Sequence, residues 1–267
     1  MHVHAKGSDE MTEQADDALV EAIVAHAQRR LDEQANPQLA KEMAAYMKTE
    51  MPFYGVQSPA RQEILRELKR EHKITDAATH MAAIKVLWAC EHREEKYLAV
   101  RLARAYPKLL TFDYLDLFLS MIREGSWWDF TDEIASNLVG KILENHPEET
   151  WPLMDDWLED ECMWIRRTAL IAQLRFKEKT DVAWLLEACE ALMHEKEFFI
   201  RKAIGWALRE LSRVEPEVAY LLKEPLEGSV TTIQAMSAVE AMAPALEIID
   251  SRYKDFKFTV EEVVADN

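Results

Sequence analysis

Glycine and proline are scarce, 6 and 9 in a chain of 267 residues. A fold of many short strands needs turn residues at regular spacing, so this shortage argues against an all-β architecture. Cysteine is scarce too: Cys90, Cys162 and Cys189 are widely spaced and contain no CxxC, which speaks against a disulfide framework or a zinc site and for small buried hydrophobes. No apolar run approaches the roughly 18 residues a membrane span requires. The N-terminal stretch MHVHAKGSDEMTEQADD is polar and acidic, unlike a secretory signal. The expectation is a soluble, cytoplasmic protein with no membrane partner. Bases are outnumbered as well, 32 Lys and Arg against 49 Asp and Glu, for a net charge of −17. Taken alone, that balance opposes binding to a phosphate backbone.

The charge is unevenly distributed, however, and that weakens the objection. Residues 1–35 carry 8 acids and 3 bases, residues 144–161 carry 8 acids and no Lys or Arg, and residues 215–267 carry 11 acids and 4 bases. Residues 93–108 hold 5 bases to 2 acids and residues 162–213 hold 10 to 7, so locally positive stretches survive inside an acidic chain.

What the sequence has in abundance is helical periodicity. Apolar residues recur at three and four from Asp17, as in Leu19, Ile23, Ala27 and Leu31. Similar patterns predict helices over 60–71, 78–89, 94–105, 113–123, 128–143, 151–158, 164–174, 181–193, 198–211 and 232–249. Breaks fall at Asn36-Pro37, Met51-Pro52 with Gly55, Pro107, Gly125, Pro147, Pro216, Pro225 and Gly228. Residues 1–14 read as a mobile leader, 15–250 as a single domain and 251–267 as an acidic tail. Short connections predict antiparallel helix pairs.

The pairs repeat. Aligning WWDFTDEIASNLVG from Trp127, MWIRRTALIAQLRF from Met163 and FFIRKAIGWALREL from Phe198 puts Trp128, Trp164 and Phe199 in one column, with Tyr97 of KYLAVRLARAYPKL in the same place. A helical-hairpin repeat of about 35 residues predicts an all-α, HEAT-like solenoid with a concave face lined by the second helix of each pair.

The most unusual local sequence is Gly125-Ser126-Trp127-Trp128-Asp129-Phe130-Thr131-Asp132. Ser126 reads as a helix N-cap, and acids suit the positive end of the following helix. Capping does not account for a double tryptophan, and Trp128 and Asp132, four apart, share a face. In the next repeat Arg166-Arg167 follows Trp164-Ile165; in the one after, Arg201-Lys202 precedes Trp206 and Arg209. Aromatics flanking one carboxylate, with arginines around them, suit a cationic ligand on an anionic backbone.

Tyr46-Met47-Lys48 with Pro52-Phe53-Tyr54-Gly55-Val56, then Ser126-Trp127-Trp128-Asp129 with Asp132, Trp164-Ile165-Arg166-Arg167, and Ile204-Gly205-Trp206-Ala207-Leu208-Arg209 together resemble the AlkD family of alkylpurine DNA glycosylases. The resemblance runs from about residue 15 to about 215; Thr231-Thr232-Ile233-Gln234-Ala235 lacks the basic-acidic pair expected there. It implies a HEAT-like solenoid gripping duplex DNA in a concave cleft, acting as a monomer and without cofactor or metal. It further implies hydrolysis of the N-glycosidic bond of cationic alkylated purines such as 3-methyladenine and 7-methylguanine. By the same resemblance Asp132 is the catalytic aspartate, and Trp128 and Trp206 hold the lesion's deoxyribose. Arg167 holds the backbone beside it, and Arg209 and Tyr46 are further contacts. Lys202 and Arg166, with Arg101, Arg104 and Arg213, are the remaining candidates for phosphate.

The chemistry is coherent with one carboxylate. An ordinary glycosidase needs an acid to protonate its leaving group, whereas an alkylated purine is already cationic and departs neutral. The alternative is a non-catalytic helical-repeat scaffold for DNA or protein, which has no need of Asp132 between two tryptophans. A metal-dependent hydrolase is not supported: Asp155-Asp156 and Glu159-Asp160-Glu161 read as a solvated acidic face, and no histidine pair has ligand spacing.

Overall fold

The computed structural model describes residues 14–214, which contain helices, turns and loops and no strand. They gather into two compact units, 14–109 and 110–214. The predicted helix over 232–249 and the acidic tail lie outside the described residues.

The first unit holds α1 (Asp17–Glu33), α2 (Pro37–Met47), α3 (Ser58–Glu71), α4 (Ala77–Ala89) and α5 (Arg93–Ala105). Asp16 caps α1 by accepting from the Leu19 amide at 3.0 Å, and the expected stripe of Ile23, Ala27 and Leu31 is buried. Helix α2 is not among the helices expected from the sequence, although Leu39, Met43 and Met47 stand at helical spacing; of its residues only Met47 is buried. The break read at Asn36-Pro37 is its start, with Asn36 accepting from the amides of Gln38 and Leu39 and Pro37 in the first turn.

Between α2 and α3 the chain makes no helix, and a buried carboxylate holds it. Glu94 accepts from the Tyr54, Gly55 and Val56 amides at 3.1, 2.9 and 3.0 Å. Gly55 has φ +86°, and a Cβ there would lie 2.1 Å from the Asn36 carbonyl oxygen, so only glycine fits. A second polar cluster ties α1 to α3. His26 and His72 share a hydrogen bond of 3.0 Å, Glu67 and Glu71 each approach His26 to 3.6 Å, and Arg30 clamps Glu67 at 2.7 Å. Burial, then the neighbouring His26, pushes the His72 pKa below its ordinary value.

The second unit opens with a 3₁₀ turn (Phe112–Tyr114), then α6 (Leu115–Gly125) and α7 (Trp128–Ile134). A π-helical turn (Ala135–Val139) joins α7 to α8 (Gly140–Asn145) in one helical stretch, as the 128–143 periodicity predicts. There follow α9 (Pro147–Leu158), α10 (Met163–Ile171), α11 (Val182–Leu192) and α12 (Phe198–Leu211). The repeat column holds: Trp128, Trp164 and Phe199 each fall at the first or second residue of α7, α10 and α12. Helix α10 packs against both α7 and α12. Gly140 permits a close approach, since a Cβ there would meet the Ala172 carbonyl oxygen at 2.3 Å. Trp88, Trp157 and Trp164 are buried, while Trp151 and Trp184 are half-buried and meet edge to face at 5.5 Å.

Ser126 is not the cap expected of it. It sits at φ 39°, in the left-handed region, at the C-terminal end of α6, and its hydroxyl donates back to the Arg123 carbonyl. Trp127 occupies the N-cap position of α7 in extended conformation, with no side-chain cap bond.

Two outcomes follow for stability. Glu94→Ala leaves three amides without their acceptor and should lower the unfolding free energy by roughly 3 kcal/mol in urea titrations. Because the unfolded chain accepts a proton that folded His72 resists, stability should fall as the solution is acidified through the ordinary histidine range, and His72→Gln should flatten that dependence.

Candidate functional site

Three consecutive repeats meet at one ion pair. Asp132 lies on α7, one turn beyond Trp128, and Arg167 lies on α10. Arg167 Nε donates to Asp132 Oδ1 at 2.7 Å and Nη2 donates to Oδ2 at 2.9 Å, a bidentate fork on the carboxylate. The third nitrogen, Nη1, donates to the Phe199 carbonyl at the start of α12. Arg167 is 4% exposed and the Asp132 side chain 19%. All three guanidinium nitrogens are therefore engaged, and what exposure the pair has lies mostly on Asp132.

Aromatic packing supports the arginine. Phe199 lies 5.9 Å from its guanidinium carbon, and the Phe199 ring in turn meets Trp164 at 4.9 Å and Trp127 at 5.6 Å. Trp127 thus belongs to the supporting packing, which leaves Trp128 as the tryptophan one turn before the carboxylate on α7. Burial raises the Asp132 pKa above its ordinary value, with the Arg167 fork opposing the rise and nearby Asp129 adding to it. The helix geometry adds a further feature. The π turn begins three residues after Asp132, and the Ser136 hydroxyl donates to the Asp132 carbonyl at 2.7 Å. Such turns are frequent at functional sites.

Trp128 and Trp206 are both half-buried and stand on α7 and α12, both of which pack against α10. Trp206 packs against a cluster that includes Ala207, Leu208 and Leu211, and its indole Nε1 donates to Glu210 at 3.3 Å. Arg209 is half-buried, and its guanidinium makes no hydrogen bond or ion pair among the described residues. Lys202 lies 5.6 Å over the ring of Phe198, which is 62% exposed. Arg166 points its fork elsewhere: Nε and Nη2 reach Glu195 at 2.6 and 3.0 Å, and Nη1 reaches the Asp160 and Glu161 carbonyls. Its donors are used within the protein, which suits a structural role better than phosphate contact. Tyr46 belongs to the first unit, 75% exposed beside a cavity of about 260 Å³ that Phe53, Arg61 and Tyr97 also line.

Two contributors do not emerge from the residue pattern. The Phe199 carbonyl, being backbone, has no sequence signal. Glu210, four residues after Trp206, has the i,i+4 spacing that could have disclosed it. Among the described residues no group of three or more His, Cys, Asp or Glu side chains is arranged to hold a metal ion.

Comparison with known proteins bears on the family and the fold. Residues 27–242 match the family model described as DNA alkylation repair enzyme. A predicted DNA alkylation repair enzyme from Enterococcus faecalis superposes with a TM-score of 0.65 at 30% identity, over 77% of this chain and 95% of that one. Shorter matches point elsewhere. A 4-oxalocrotonate decarboxylase from Pseudomonas sp is 66% identical over 55 residues, 21% of this chain and 22% of the relative. A 2-hydroxyhexa-2,4-dienoate hydratase from Comamonas testosteroni is 45% identical over 56 residues, 21% of each. The chain spans about a fifth of the length of these curated relatives, so the likeness concerns one segment. By the family match over most of its length, and by a solved structure that shares its helical-repeat fold, this chain belongs to the DNA alkylation repair enzyme family.

Proposed function

We propose that the protein is a monofunctional alkylpurine DNA glycosylase, which hydrolyses the N-glycosidic bond of cationic purines such as 3-methyladenine and 7-methylguanine in duplex DNA. The observation that carries this reading is the Asp132 carboxylate, mostly buried and held by Arg167, on a helix that also presents Trp128.

In the reaction the bond between sugar C1′ and the purine nitrogen breaks, and its electron pair neutralises the cationic base. No proton need be delivered to the leaving group. The sugar develops oxocarbenium character, which a nearby carboxylate stabilises. Water adds to C1′, and Asp132 receives its proton, leaving an abasic site and a free neutral purine. The tryptophan faces of Trp128 and Trp206 add cation–π attraction of about 0.5 to 2 kcal/mol each.

Arg167 then acts through Asp132. Burial alone favours a protonated, inert carboxyl; the guanidinium fork opposes that and fixes the direction of both oxygens. In this reading phosphate contact falls first to Arg209 and Lys202, whose charges are not engaged in intramolecular ion pairs among the described residues. With a net charge of −17 opposing approach to DNA, binding is expected to weaken steeply with salt.

The test is release of 7-methylguanine from a lesion-bearing duplex under single turnover. The intact protein should release it, Asp132→Asn should slow release by at least about a hundredfold, and a neutral damaged base should be a poor substrate. A duplex that binds intact protein without base release would leave the scaffold reading instead. The rate should also rise with pH through an acid limb whose midpoint lies above the usual aspartate pKa of about 3.9. That limb belongs to the deprotonation of Asp132, so it should vanish in the residual activity of Asp132→Asn.

A further inference from the structure

The two tryptophans of the site differ in one respect. Among the described residues the Trp128 indole makes no hydrogen bond, whereas Trp206 Nε1 donates to Glu210 Oε1 at 3.3 Å, one turn further along α12. Glu210 is itself held: Arg213 Nη1 donates to both of its carboxylate oxygens, at 2.7 and 2.6 Å. A chain of contacts therefore runs from Arg213 through Glu210 to the indole.

We propose that Glu210 is a positioning residue that sets the ring orientation of Trp206, with Arg213 holding the carboxylate in place. The physical need is specific. An indole packed against aliphatic side chains is held in position by van der Waals contact, but contact alone discriminates weakly between its two flipped orientations. Only one orientation directs Nε1–H toward Glu210, so a hydrogen bond to an ionised acceptor selects it. Arg213, itself 62% exposed, biases the acceptor by donating from Nη1 to both oxygens. Trp206 is thus the tethered one of the two tryptophans. The consequence for catalysis rests on the glycosylase reading; the tether itself does not.

The experiment compares Glu210→Ala, Glu210→Gln and Arg213→Ala in the full-length protein. Three readouts are taken: the indole ¹H–¹⁵N resonance of Trp206, assigned by its loss in Trp206→Phe; thermal unfolding; and single-turnover release of 7-methylguanine with its substrate dependence. Glu210→Ala should move the Trp206 indole resonance and lower the single-turnover rate about tenfold, with smaller effects on half-saturation and on the unfolding temperature. Glu210→Gln retains an acceptor oxygen and should recover most of the rate. Arg213→Ala should fall between them. An unmoved indole resonance in Glu210→Ala would overturn the proposal, and so would a loss of rate that simply follows loss of stability in both Glu210 variants. If the intact protein releases no base, the glycosylase reading fails on its own, and the indole resonance still decides whether Glu210 sets the ring.

Discussion

The candidate site depends on keeping one carboxylate ionised where little water reaches it. Asp132 and Arg167 form a mostly buried pair, and such a pair offsets its desolvation only when its geometry is close and its remaining donors are satisfied. Both conditions are met by repetition of the fold. The carboxylate comes from α7, the guanidinium from α10 and the third acceptor from the first turn of α12, so the pair is complete only when three successive repeats are stacked in register. The aromatic triangle of Trp127, Trp164 and Phe199 keeps the arginine in that register by filling the space beside it.

The proposed reaction asks only what this arrangement can give. A carboxylate can stabilise a cationic sugar and take a proton from water, but it cannot at the same time protonate a neutral leaving base, which is why the proposal is confined to substrates that carry their own positive charge. The two neighbouring arginines of α10 divide their partners: Arg167 holds Asp132, and Arg166 holds Glu195.

Much of this was legible from residue spacing. The aromatic column at Trp128, Trp164 and Phe199 marks the starts of α7, α10 and α12, although the ring that packs with Trp164 and Phe199 is Trp127, one residue before that column. Helix α2 was missed although Leu39, Met43 and Met47 recur at helical spacing, because it is short, lies between the Asn36-Pro37 and Met51-Pro52 breaks and buries only Met47. Ser126 misled for a different reason: a serine between glycine and a helix suits an N-cap, but here it takes the left-handed turn that ends α6, and its hydroxyl bonds back to that helix. The pairing of Asp132 with Arg167 lies beyond pattern reading. The two are 35 residues apart, and only packing determines whether such an arginine faces a carboxylate, as Arg167 does, or turns aside to Glu195, as Arg166 does.

The most direct measurement is the titration of the Asp132 carboxyl carbon by ¹³C nuclear magnetic resonance, in the intact protein and in Arg167→Lys. The account predicts a midpoint above the ordinary aspartate range in the intact protein, because burial outweighs the arginine, and a higher one still when the two-pronged fork is replaced by a single ammonium. A midpoint at or below the ordinary value in the intact protein, or one indifferent to the change at Arg167, would contradict it.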